Sequence, residues 1–183
     1  MLYAVKLDFT SNNLENIVMK HSLLFVTLPI ILLSSCTLLE PSDEKFMTKK
    51  VETLIAQINE KKVDEIYDTF SKNKQNETPT LRDEIVSLCD SYQGGTFKKW
   101  IYHGGGSSGA HYDHGKRKLR IYDKYQVECE YKSYTFAIRW IRFDDWDKDN
   151  IGLTTIAVSE YTEGVMWPDP KTQVTVGIDN TEK

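Results

Sequence analysis

The chain has no surplus of positive charge. Its formal net charge is -4 over 183 residues, and Lys and Arg are not gathered into a basic stripe, which argues against nucleic acid as a partner. It has no apolar run suited to crossing a bilayer. The best candidate, Leu23-Leu24-Phe25-Val26-Thr27-Leu28-Pro29-Ile30-Ile31-Leu32-Leu33, is short and interrupted, where a spanning helix needs ~20 apolar residues. There is no internal repeat and no phosphate-binding P-loop. The glycines near residue 105 have the wrong spacing, and Arg117 stands where Ser or Thr would hold magnesium. Cysteine is scarce, at three residues. No serine or histidine can be matched with a base from the sequence, no catalytic residue is assigned, and no cofactor is expected.

What is present begins with the apolar run itself. Its length suits the core of a signal peptide, Lys20 and His21 flank it, and Ser34 and Ser35 lead into Cys36. Leu33-Ser34-Ser35-Cys36 resembles the lipobox of bacterial lipoproteins. The resemblance implies cleavage after Ser35, lipidation of Cys36 with acyl chains such as palmitate, and an extracytoplasmic chain held to the cell membrane by that lipid. Residues 1–18 contain Asp8 and Glu15 without a periodic apolar face, and Met19 is the expected start. The expected organisation is therefore 1–35 as an upstream extension plus signal peptide, 36–41 as a lipid-anchored tether, 42–163 as the folded domain and 164–183 as a tail. Removing Lys6 and Lys20 with Asp8 and Glu15 leaves the mature charge at -4, unchanged from the precursor.

After the tether, Ser42 can cap a helix, and Met47, Val51, Leu54, Ile55 and Ile58 recur at helical spacing. Val63, Ile66, Tyr67 and Phe70 predict a second helix, and Ser71 to Thr78 a polar loop. Thr80 with Asp83 approximates a capping box. It opens a third helix carrying Leu81, Ile85, Leu88, Cys89 and Tyr92, which Gly94-Gly95 ends. The period then changes to two. Phe97 to Tyr102, Leu119 to Tyr131, Tyr134 to Phe143 and Ile151 to Tyr161 read as strands. Residues 103–116 read as a glycine- and histidine-rich loop, and Val174 to Ile178 as a candidate short strand in the tail. Three helices followed by strands predict an α+β fold with the helices packed on one face of a four-stranded antiparallel sheet. Cys89 falls on a helical apolar stripe and Cys129 on a strand's apolar face. A disulfide is permitted outside the cytoplasm, but both positions suit small buried thiols.

This order of elements resembles the nuclear transport factor 2-like (cystatin-like) superfamily. More narrowly, it resembles an uncharacterised family of bacterial lipoproteins with that fold. The residues that carry the likeness are the lipobox, Gly104-Gly105-Gly106 after the first strand, and Asp144 to Leu153 leading into Thr155-Ile156-Ala157-Val158. It covers roughly residues 42–162 and implies a curved, cone-shaped sheet wrapped on helices. It supplies no catalytic residue: the acid and base groups of superfamily members such as the ketosteroid isomerases have no matching motif here.

Two loops invite a metal. His103, His111, His114 and Asp113 offer imidazole and carboxylate ligands, but on a glycine-rich connection that does not hold them in place. Asp145-Trp146-Asp147-Lys148-Asp149-Asn150 alternates carboxylates like a calcium loop. Asn150 replaces the turn glycine, however, and Ile156 the bidentate glutamate. Both read as solvated turns, and no metal site is expected. The aromatics between Tyr92 and Trp140 read mainly as core. Trp100, Tyr102, Tyr125 and Tyr131 are the candidate ligand-binding residues, lining a cleft between the third helix and the sheet, where amphipathic rings suit a wet margin. The expectation is a binding or interaction module for a small molecule or an envelope protein. An enzyme of hydrolase or isomerase type, with acid–base groups in the cleft, and a structural subunit of an envelope complex are the competing readings. A buried carboxylate beside a tyrosine would favour the enzyme.

Overall fold

Ser42 caps the first helix: its side chain accepts from the Lys45 N–H, and Asp43 and Glu44 follow in the first turn, where the helix dipole favours acidic groups. A computed structural model describes residues 42–103, 107–165 and 167–177. The expectations for residues 1–41, including lipidation at Cys36, lie outside the described residues, as does Gly104-Gly105-Gly106. Helix α1 (Asp43–Asn59) buries Met47, Val51, Leu54, Ile55 and Ile58, the stripe its spacing predicts. Helix α2 (Val63–Thr69) buries Ile66, α3 (Lys72–Glu77) follows it, and α4 (Leu81–Ser91) buries Leu81, Ile85, Leu88 and Cys89. Thr80 does not form the capping box. Its hydroxyl instead donates to the Glu84 carboxylate at 2.7 Å.

Six strands follow: β1 (Phe97–His103), β2 (Ser107–Asp113), β3 (Lys116–Cys129), β4 (Ser133–Asp144), β5 (Gly152–Glu160) and β6 (Val174–Val176). All pair antiparallel, in the order β1-β3-β4-β5-β6, with β2 also on β3. Strand β1 takes residues 125–129 of β3 and β2 takes residues 116–122, so the two lie end to end along one edge of β3.

The expectation of three helices on a four-stranded sheet is therefore corrected to four helices and six strands among the described residues. The reasons are local. Helix α3 has the sequence KNKQNE and carries no apolar stripe for a period to reveal. It stands because Ser71 caps it, accepting from the Lys74 N–H at 3.2 Å, and because Gln75 donates to the Tyr67 and Phe70 carbonyls. Strand β2 is exposed at all seven residues, so neither face needs apolar alternation. Its pairing with β3 is set instead by a two-residue turn in which His114 and Gly115 both take positive φ, 47° and 77°. That is the turn whose twist matches a hairpin. Strand β6 is three residues long and pairs with β5 opposite Ile156, Ala157 and Val158.

One face of the sheet carries Ile121, Tyr125, Val127, Phe136, Ile138, Trp140, Ile156 and Val176, which join the helical stripes in a single core. Fully burying a side chain of this size stabilises by ~1.5–3 kcal/mol. Exposed ion pairs such as Lys61–Asp90, at 2.7 Å, contribute little by comparison. Apolar packing, not surface charge, therefore holds the helices on the sheet. The opposite face is covered in part by the segment between β5 and β6. Trp167 stacks on Tyr122 at 5.3 Å, and the Gln126 amide donates to the Val165 carbonyl at 2.9 Å.

Candidate functional site

On β3 the helix-facing positions run Ile121, Asp123, Tyr125, Val127, Cys129. A carboxylate thus occupies a register otherwise apolar or aromatic. Asp123 is 9% exposed and Tyr125 1%. Two residues apart on a strand, their side chains share a face. The Tyr125 hydroxyl donates to Asp123 Oδ2 at 2.8 Å, and Asp123 Oδ1 accepts from the Lys124 N–H at 2.9 Å. Burial, and then the neighbouring Asp123 carboxylate, push the Tyr125 phenol far above its ordinary value. The phenol is therefore a fixed hydrogen-bond donor and not a titrating group at physiological pH.

Trp100 completes the arrangement. It pairs with Val127, so its ring lies on the same face, 5.5 Å from the Tyr125 ring and 4.9 Å from Phe97. Trp100 and Phe97 are half-buried, and Tyr125 closes the cluster from within. The result is an aromatic margin over a buried phenol–carboxylate pair. It sits at the β1 edge of the sheet, where α1 packs, whereas α4 packs against β6. The placement beside the third predicted helix is thus corrected to the first.

The four candidate residues do not stay together. Tyr102 separates from Trp100 because β1 bulges between them: Trp100 faces Val127 and Tyr102 faces Gln126, which are neighbours on β3 and point to opposite sides. Tyr102 therefore lies on the outer face, where Lys124 Nζ sits 5.7 Å from its ring. Tyr131 separates because β3 ends at Cys129, two residues earlier than predicted. It falls in the turn, donates its N–H to the Gly94 carbonyl at 2.8 Å and is 73% exposed. The structure thus brings Trp100 and Tyr125 together, adds Asp123, and leaves Tyr102 and Tyr131 elsewhere. Cys36 lies outside the described residues. Asp123 was legible as the one carboxylate interrupting the inward register of β3.

The other stretches resolve into structural roles. Asp144, 1% exposed, accepts from Lys118 Nζ at 2.6 Å, from the Trp146 and Asp147 N–H groups at 3.1 Å each, and from Asn150 Nδ2 at 3.1 Å. Asn73 of α3 donates to Asp147 and Asn150 at 2.7 and 2.9 Å. The calcium-like spacing thus serves a loop knotted by its own hydrogen bonds. No group of three or more His, Cys, Asp or Glu fit to hold a metal occurs among the described residues. Cys89 and Cys129 are both buried free thiols, and the Tyr92 hydroxyl lies 3.1 Å from Cys129 Sγ.

Residues 53–163 match the model of a domain of unknown function (DUF5104), a span that contains Trp100, Asp123 and Tyr125. No curated protein matches the chain.

Proposed function

Since the chain belongs to this family of domains of unknown function, we propose that it is a membrane-anchored extracytoplasmic lipoprotein whose domain binds a small, largely planar molecule or an envelope partner, without catalysing a reaction. The observation that carries the binding reading is the half-buried Trp100 ring set over Tyr125 and Asp123. Aromatic walls with one or two fixed polar groups are the usual composition of a small-molecule site. The anchor reading rests on the lipobox at Cys36, and wider kinship with nuclear transport factor 2-like proteins on helices preceding an antiparallel sheet.

The buried carboxylate beside a tyrosine favours one rival, an enzyme using this pair as acid and base. Against it, the Tyr125 hydroxyl keeps its proton and already donates its hydrogen bond to Asp123, and Asp123 also accepts from the backbone. The pair satisfies itself and suits orienting a ligand better than transferring a proton. Native mass spectrometry of the chain extracted from its own membranes tests the binding reading. A co-purifying small molecule lost in Trp100→Ala supports it. An unliganded wild type whose melting is unmoved by planar organic compounds refutes it. For the anchor, Cys36→Ala should accumulate as unprocessed precursor; a variant cleaved and membrane-retained like wild type refutes that part.

A further inference from the structure

An edge strand presents backbone N–H and C=O groups with no partner, and proteins guard such edges with lysine, proline, a bulge or brevity. Two of the edge strands here are guarded in these ways. Strand β1 carries Lys98 and Lys99 and shifts register twice against β3. Strand β6 is three residues long. Strand β2 has neither device. Its seven residues, Ser107–Asp113, include no lysine or proline, and all seven pair with residues 116–122 of β3 without a shift. Its other side pairs with nothing among the described residues, and every residue along it is exposed. Alternate residues of β2 therefore turn N–H and C=O groups outward along an unbroken, accessible edge.

The side chains of β2 say what fits that edge. Small residues, Ser107, Ser108 and Gly109, precede Ala110, and larger ones, His111, Tyr112 and Asp113, follow it. Suppose a second β2 lies antiparallel along the edge, with a two-fold axis through Ala110. Tyr112 then stands opposite the partner's Ser108, His111 opposite the partner's Gly109, and Asp113 opposite the partner's Ser107. All seven residues pair, each large side chain meets a small one, and no like charges face each other across the strands, where they would repel. Tyr112, 74% exposed in the single chain, gains a neighbouring strand to lie against. An axis at any other residue of β2 leaves the ends of the strand unpaired. Directly opposed residues share a face of the sheet, so the helices of both copies lie on the same side.

We propose that β2 is the interface of a two-fold dimer of this chain, in which two β2 strands pair antiparallel about Ala110 and join the two sheets into one. The interface is self-complementary and closes on itself, so assembly stops at two copies. Main-chain hydrogen bonds supply the attraction, and the alternation of large and small side chains sets the register. This inference is independent of the anchor and ligand-binding readings above.

The test uses the full chain carrying Cys36→Ser, in detergent solution, so that the buried Cys89 and Cys129 are its only native thiols. Sedimentation equilibrium should give twice the mass of one chain. Ala110→Lys and Ala110→Glu each set like charges against each other on the axis. Each alone should weaken the dimer at least about tenfold, with melting of the domain little changed, and an equimolar mixture of the two should restore the doubled mass. Register is read by cross-linking with diamide. Ala110→Cys brings the two Cα atoms to ~4.5–5.5 Å, within the span of a disulfide. The equally exposed Ser108→Cys lies ~13 Å from its mate, four residues along the strand. Ala110→Cys should therefore form a covalent dimer many-fold faster than Ser108→Cys. A single-chain mass for the parent protein overturns the proposal and leaves the β2 edge to a different partner. A doubled mass that neither charge disturbs, variants that stay apart when mixed, or equal cross-linking at 108 and 110 overturns it as well.

Discussion

Asp144→Ala is the most informative stability test, because one buried carboxylate there closes four hydrogen bonds. They come from Lys118, the Trp146 and Asp147 N–H groups, and Asn150. A hydrogen bond to a charged group contributes about 1.5–3 kcal/mol, and a neutral one roughly 1 kcal/mol. The sum is not the expected loss, since contacts within one network are not additive. The Lys118 side chain, 21% exposed, can also turn to water, which places the loss at or below the low end of the ~3–5 kcal/mol seen when a buried pair is broken. The expected destabilisation is about 3 kcal/mol, or a fall of roughly 10 °C in Tm for a domain of this size. Urea unfolding followed by tryptophan fluorescence reads it. The pH dependence gives a second check. Burial by itself would raise the Asp144 carboxyl, but the Lys118, Asp147 and Asn150 hydrogen bonds outweigh it and hold the group below its ordinary value. A carboxyl lowered by folding adds stability that is full above its unfolded value, ~3.9, and is lost as pH falls through the folded value. The gap between wild type and variant should therefore be widest at neutral pH and narrow below about pH 4. A loss under ~1 kcal/mol, or a gap that does not change with acid, refutes the account of the loop.

Three further outcomes follow from single positions. Tyr125→Phe removes the donor to Asp123 and should destabilise by ~1–2 kcal/mol in chemical denaturation; an unchanged midpoint would show that the pair is not formed. Gly152→Ala should cost at least ~2 kcal/mol, since Gly152 has φ 139° and an added Cβ would meet the Ser71 backbone at 2.8 Å. A wild-type melting temperature would place the α3–β5 approach elsewhere. Cys129→Ala should cost only ~1 kcal/mol, as for loss of a small buried group. An intact mass two hydrogens short of the free-thiol value would instead establish a disulfide.

The amino-acid sequence by itself determined the elements that bury one face. The stripes of α1, α2 and α4 recur every three to four residues, and the inward residues of β3, β4 and β5 alternate, because water is excluded from one side of each element and the pattern records that exclusion. It also determined the order of helices before sheet. Tertiary structure alone decided the elements with no buried face of their own. Strand β2 exists because β3 offers it hydrogen bonds and His114-Gly115 turns the chain back, and α3 exists because Ser71, Gln75 and Asn73 find partners around it. It likewise decided the candidate site. The β1 bulge sends Tyr102 to the outer face while Trp100 stays inside, and the early end of β3 puts Tyr131 in a turn. A strict period of two carries no sign of an inserted residue, so a bulge reverses every later side chain unseen. Asp123 was visible as a charge in an apolar register, but its partner was not. Only the folded strand shows that the hydroxyl of Tyr125 reaches its carboxylate.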